Sequence, residues 1–303
     1  MLAIDSLLRH LKDLKVGAIL NPTSVTPELR HMADVLHEAG VLAALFGPEH
    51  GVRGDAQYLE AVSEARDART GVPEHSLYGK DFGSLTPRDE HLKGLDALVF
   101  DIQDVGSRYF TYLATMGLSM KAAAKNKLKF FVLDRPNPLG GVAVEGGIVH
   151  PGFESFVGLF PVSARHGLTA GEYARFINEE IRCDLFVVEL QGWKRDMLWN
   201  VTGLPWVLPS PNMPTFSTAL VYPGMCLLEG TNLSEGRGTT RPFEIWGAPW
   251  LDARKLAASL DAEGFRNVRF RPCSFTPTWD KHKGERCHGV QIHIFGSDIE
   301  SVK

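Results

Sequence analysis

The chain alternates short apolar runs with longer stretches of helical periodicity, a pattern that predicts a parallel sheet covered by helices. The runs fall at residues 16–20, 42–46, 97–100 and 130–133. Between the first two, residues 27–39 place Leu29, Met32, Val35 and Leu36 on one helical face behind Thr26. That spacing predicts a helix capped by Thr26, and with it a βαβ unit. Residues 109–127 predict a second crossover helix. Thr169-Ala170-Gly171-Glu172 has the form of a capping box and predicts a helix through Ile181, followed by a strand at 185–190. Residues 47–94, rich in Gly, Pro and charge, read as one long functional loop folding over the sheet edge.

Four prolines, Pro205, Pro209, Pro211 and Pro214, fall within ten residues, and the domain boundary is expected there. The first domain, 1–205, is read as α/β with a parallel sheet. The second, 206–303, is read as a smaller α+β domain with loops at 229–242, a helix at 252–263 and strands at 267–270 and 290–295. Only a short tail follows the last of these strands, so an incomplete C-terminal domain is expected. No internal repeat or low-complexity tract is present.

Composition narrows the function classes. With 303 residues, 44% of them hydrophobic, the chain can bury a full core. Its 32 Lys+Arg against 36 Asp+Glu leave a net charge of −4, which lacks the basic footprint of a nucleic-acid partner. The first sixteen residues are interrupted by Asp5, Arg9, Lys12 and Lys15, unlike a signal peptide, and no later run has the length of a membrane span. The expectation is a cytoplasmic protein as written, or an exported one if a leader has been removed. The four cysteines form neither a CxxC pair nor a disulfide framework. GxGxxG after the first strand, GxxxxGK[ST], HExxH and GxSxG are all absent, so neither cofactor nor zinc is expected, nor a serine nucleophile.

In open parallel sheets, ligands bind beyond the carboxyl ends of the strands. Each of the four runs is followed there by polar residues: Asn21; Glu49 and His50; Asp101, Gln103 and Asp104; and Asp134. Carboxylates at three strand ends must be solvated or paired, because burying them unpaired costs several kcal/mol. A convergent acidic pocket satisfies that requirement; helix capping and loop pinning are the competing roles.

Glu49 sits in Phe46-Gly47-Pro48-Glu49-His50-Gly51, a loop stiffened by proline and opened by glycine, which suits a projecting general acid. Asp101 and Asp104 are candidates for a second catalytic group, with Arg108 placed to pair with one of them. Arg165 and His166 precede the Thr169 cap, Asn212 lies at the domain junction, and Asn232, Glu235 and Arg237 belong to a Gly/Ser/Thr-rich loop suited to polyol or carboxylate recognition.

The segments Asn21-Pro22-Thr23, Phe46 through Gly54, Asp101 through Tyr109, Leu133 through Gly141, Arg165 through Thr169, Pro211 through Pro214 and Glu229 through Thr240 together resemble the exo-β-N-acetylmuramidase family. The resemblance implies a Rossmann-like domain with a smaller C-terminal domain. It also implies release of N-acetylmuramic acid from non-reducing ends of peptidoglycan fragments, as in cell-wall recycling, with Glu49 catalytic in a cleft between the domains. The lactyl carboxylate of that sugar would give Arg237, Arg165 or Arg108 a charge partner.

Two other functions fit the same polar residues. One is a non-catalytic sugar- or peptidoglycan-binding protein. The other is a metal-dependent hydrolase using Glu49, His50 and Asp55.

Overall fold

The computed structural model describes residues 1–54, 65–79, 83–296 and 298–302. The chain divides into two compact units. The first comprises Met1–Val142, Val149–Val162 and Gly167–Pro209; the second comprises Ala143–Ile148, Ser163–His166 and Ser210–Lys303.

The first unit is an α/β sheet. Its strands are β1 (Val16–Leu20), β2 (Leu42–Gly47), β3 (Ala65–Arg66), β4 (Pro73–Ser76), β5 (Ala97–Asp101), β6 (Lys129–Leu133) and β7 (Asp184–Val188). They lie in the order β3-β4-β2-β1-β5-β6-β7, parallel throughout except for β3, which runs antiparallel to β4 at one edge. Successive side chains point to opposite faces, and both faces are apolar. Ile19, Phe46, Leu98, Phe100, Phe130 and Val132 belong to one core. Val16, Ala18, Leu20, Leu45, Val99, Phe131 and Leu133 belong to the other.

The helices of this unit are α1 (Ile4–Leu11), α2 (Met32–Glu38), α3 (Asp89–Leu92), α4 (Tyr112–Asn126) and α5 (Ala170–Ile181). The α5 start has the expected box: the Thr169 side chain accepts from Glu172 N–H while the Glu172 carboxylate accepts from Thr169 N–H. The start of α2 differs from expectation. Thr26 Oγ1 accepts from the amides of Glu28 and Arg30, and Thr26 N–H donates to Arg30 O, closing a turn with Leu29 at φ 65°. The helix therefore begins at Met32 with His31 as its cap, and Leu29 is exposed rather than in the core. Residues 47–94 are likewise not one loop: β4 adds to the parallel sheet beside β2, and β3 and α3 belong to the same stretch.

The second unit holds α6 (Phe216–Met225), α7 (Ala253–Ala262) and an antiparallel sheet of β8 (Ile245–Ala248), β9 (Val268–Phe275) and β10 (Cys287–Ile294) in the order β8-β10-β9. No described helix is long and apolar enough to cross a membrane.

Candidate active site

From β1 the chain steps to β2 and β4 on one side, and to β5, β6 and β7 on the other. The carboxyl ends of β1, β2, β5 and β6 therefore surround the point where the order reverses, where loops diverge and leave a crevice. Asn21, Glu49, Asp101 to Asp104 and Asp134 are set on those four ends.

After β1, Asn21 is buried, and its Oδ1 accepts from the amide (2.9 Å) and hydroxyl (2.5 Å) of Thr23. Thr23 Oγ1 in turn accepts from Gln103 N–H at 2.9 Å, so the ends of β1 and β5 are tied. Ser24 reinforces the tie by donating its hydroxyl to Asp101 O.

After β2, Gly51 N–H donates to Pro48 O at 2.9 Å and closes the turn that presents Glu49. His50 and Gly51 both take left-handed backbone, at φ 74° and 73°, which glycine adopts freely and which His50 must be held in. Glu49 is half-buried, and its Oε2 lies 3.5 Å from Thr111 Oγ1. Thr111 precedes α4 without capping it, leaving its hydroxyl for Glu49. Downstream in the loop, Arg53 is anchored by Asp67 (2.5 and 3.0 Å) and Asp34 (2.8 Å). Burial alone would raise the Asp67 pKa, but the bonds from Arg53 and Thr70 outweigh it and hold this carboxyl below the usual range.

After β5, the two candidate acids separate in character. Asp101 is fully buried and both of its oxygens are taken by Arg135. That fork commits both oxygens to Arg135, whereas a general base needs a lone pair within reach of water. Asp104 Oδ2 accepts from Gly106 N–H at 2.6 Å. Gln103 Nε2 donates to Asp104 O and Pro136 O, while its Oε1 is buried with no hydrogen-bond partner among the described residues. Arg108 Nη1 donates to Val162 O at 2.7 Å.

Tyr112, which the sequence motifs do not single out, comes just after the Asp101–Tyr109 segment, at the first turn of α4. It is buried and donates to Pro209 O. Burial raises its phenol well above the ordinary range; the Asn21 side chain opposes this, and the charges of Glu49 and Asp104 add to it. Asn21 Nδ2 nevertheless makes no hydrogen bond of acceptable geometry among the described residues.

After β6, Asp134 accepts from Gly171 N–H at 2.7 Å and from the Thr169 hydroxyl at 3.1 Å. A Cβ at position 171 would stand 2.8 Å from the Asp134 carboxyl carbon, so glycine permits this approach of α5. Burial raises the Asp134 pKa despite these bonds.

The remaining candidates lie in the second unit. Arg165 is buried and donates to Glu145 (2.5 Å), Ile299 O and Ser301 Oγ. Its neighbour His166 is also buried. Asn212 is half-buried, its N–H 3.4 Å from Ser210 Oγ. Asn232 is exposed and accepts at its carbonyl from His282. Arg237 pairs with Glu229 (2.6 Å) and buried Glu235 (3.1 Å) and lies over the Phe243 ring, while Lys281 Nζ binds the other Glu235 oxygen and three carbonyls. Both Arg165 and Arg237 are thus committed to carboxylates of the chain itself. This geometry does not provide the free charge partner expected of them, because a substrate carboxylate would have to displace an existing one.

Among the described residues, no three His, Cys, Asp or Glu side chains converge as metal ligands. Asp55, the third group of the metal reading, lies outside the described residues.

Comparison with known proteins gives a consistent set of relatives. Residues 16–217 match the family model for the N-terminal part of the exo-beta-N-acetylmuramidase NamZ, and residues 220–303 match that for its C-terminal part. The chain is 50% identical over 309 residues to the peptidoglycan beta-N-acetylmuramidase NamZ of Bacillus subtilis (strain 168), covering 99% of this chain and 74% of that protein. It also resembles two crystal structures of DUF1343 family proteins from Bacteroides fragilis NCTC 9343. One superposes with a TM-score of 0.91 at 43% identity, over 99% of this chain and 77% of the other. The second has a TM-score of 0.77 at 32% identity, over 95% of this chain and 74% of the other.

Proposed function

The chain belongs to the exo-beta-N-acetylmuramidase NamZ family and is a glycosidase, and from that premise we propose that it removes N-acetylmuramic acid from the non-reducing ends of peptidoglycan fragments with Glu49 as general acid. The observation that carries this reading is the setting of Glu49. It is half-buried at the carboxyl end of β2, beside the switch in strand order, on a loop held at a left-handed pair and anchored by Arg53.

In this reading Glu49 delivers its proton to the glycosidic oxygen as the bond from that oxygen to the anomeric carbon breaks, so the leaving sugar departs as an alcohol. Positive charge develops at the anomeric carbon and is met by an incoming oxygen. Asp104, at the end of β5, is the second acid of this reading and would have to gain access to that oxygen, since it is buried and accepts from Gly106 N–H; the acetamido oxygen of the substrate is the other available nucleophile. Asn21 Nδ2 and Gln103 Oε1, buried polar atoms at the ends of β1 and β5, have hydrogen-bonding capacity left for sugar hydroxyl or amide groups.

Glu49→Gln tests the assignment. On a disaccharide with terminal muramic acid, kcat is expected to fall by about 10²–10⁴-fold. An aryl glycoside with an activated leaving group, which needs little protonation, should lose far less. Equal, near-parental rates on both substrates would remove Glu49 from the mechanism. Exo-action is tested with the parent enzyme on longer glycan chains: free N-acetylmuramic acid should appear without internal fragments.

A further inference from the structure

His31 belongs to none of the sequence motifs, yet it touches two of the strand-end loops at once. Its Nε2 lies 3.0 Å from Asn21 O, after β1, and 3.2 Å from Val52 O, in the loop that carries Glu49. Its Nδ1 accepts from Ala33 N–H at 3.2 Å and caps α2. Both neighbours of Nε2 are carbonyl oxygens, which only accept, and the neighbour of Nδ1 is an amide, which only donates. The ring is therefore neutral, with its proton on Nε2.

We propose that His31 is a positioning residue for the reaction: as the neutral Nε2–H tautomer, it fastens the Glu49 loop to the Asn21 strand end. The proposal rests on the reading of Glu49 as general acid. A one-ångström misplacement of a reacting group can cost about 100-fold in rate, so a bridge between the loop and the β1 end bears directly on kcat.

The cap and the bridge use different nitrogens, which makes them separable. A second proton would go to Nδ1, where it would face Ala33 N–H and break the cap. Burial, with Arg53 nearby, disfavours that proton; Asn21 O, Asp34 and Asp101 favour it, and burial prevails. The parent's acid limb should accordingly contain the titration of this ring.

Two substitutions divide the functions. In His31→Asn the side-chain oxygen stands near the Nδ1 position and keeps the cap, but nothing reaches Asn21 O or Val52 O. In His31→Gln the amide nitrogen reaches the Nε2 position and keeps the bridge while the cap is weakened. We expect His31→Asn to remain close to the parent in melting temperature, to lose at least about tenfold in kcat with little change in KM, and to exchange the amides of residues 51–53 faster. His31→Gln is expected to melt earlier, to retain most of kcat, and to show an acid limb without the imidazole titration. Parental kcat in His31→Asn, or activity losses in both variants that simply track their losses of stability, would overturn the proposal.

Glu49→Gln, assayed alongside, separates the two failures. If it retains turnover, the reading of Glu49 has failed. The exchange rates at residues 51–53 then still decide whether His31 forms the bridge.

Discussion

Arg135 grips Asp101 through both carboxylate oxygens, in a pair whose side chains are 4% and 0% exposed. The guanidinium also donates to Val25 O, so this pair joins the carboxyl ends of β5 and β6 to the turn after β1.

Breaking such a pair from one side is costly, because the surviving charge stays buried without its partner. Asp101→Ala is expected to lower unfolding free energy by about 3–5 kcal/mol in a urea titration. The double change Asp101→Leu with Arg135→Met should lose less than the single one. A loss below about 1 kcal/mol for Asp101→Ala would mean that the pair does not have this structural role.

The anchor at Arg53 predicts a pH-dependent stability. The folded Asp67 carboxyl lies below its ordinary pKa, so its contribution is complete above the unfolded value of about 3.9 and disappears as pH falls through the folded one. Arg53→Ala should therefore cost on the order of 1.5–3 kcal/mol near pH 7, with the gap from the parent narrowing below about pH 4. Its kcat should fall as well, because residues 48–53 form the loop that holds Glu49. A gap that stays constant from pH 7 to pH 3 in denaturant titrations would contradict this account.

Asp134 predicts the opposite sign. Burial raises its folded pKa above the unfolded one, so the folded state binds more protons between the two values and stability falls as pH rises through that window. Asp134→Asn keeps an acceptor for Gly171 N–H and removes the buried charge. The variant should be at least as stable as the parent at pH 7, with its relative advantage shrinking toward pH 4. If Asp134→Asn is instead destabilised at pH 7 by more than at pH 4, the bonds from Thr169 and Gly171 require the ionised form. A change in KM on the same variant would give Asp134 a substrate contact as well.

The strand-end placement of the candidate site was legible in the linear chain because strand ends can be read from hydrophobic period. Residues 16–20, 97–100 and 130–133 are apolar on both faces, and the residues that come next after a buried strand must emerge at its carboxyl edge. That logic singled out Asn21, Glu49, Asp101, Gln103, Asp104 and Asp134, which the structure sets at the carboxyl ends of β1, β2, β5 and β6. It could not find His31 or Tyr112, whose interactions depend on residues 10 to 97 positions away in the chain. Nor could it assign partners to arginines. Arg237 and Arg165 carry the charge that an anionic ligand needs, but Glu229, Glu235 and Glu145 are folded against them.

The sequence by itself determined the parallel sheet, the capping box at Thr169 and the position of Glu49 in its Gly/Pro loop, because periodicity and turn chemistry act over a few residues. Only the tertiary structure decided that Asp101 is held by Arg135, that residues 47–94 add β4 to the sheet, and that His31 rather than Thr26 caps α2. Each of these depends on which distant group reaches a donor or acceptor first. Burial then fixes that partner, since an unsatisfied polar group away from water is too costly to leave.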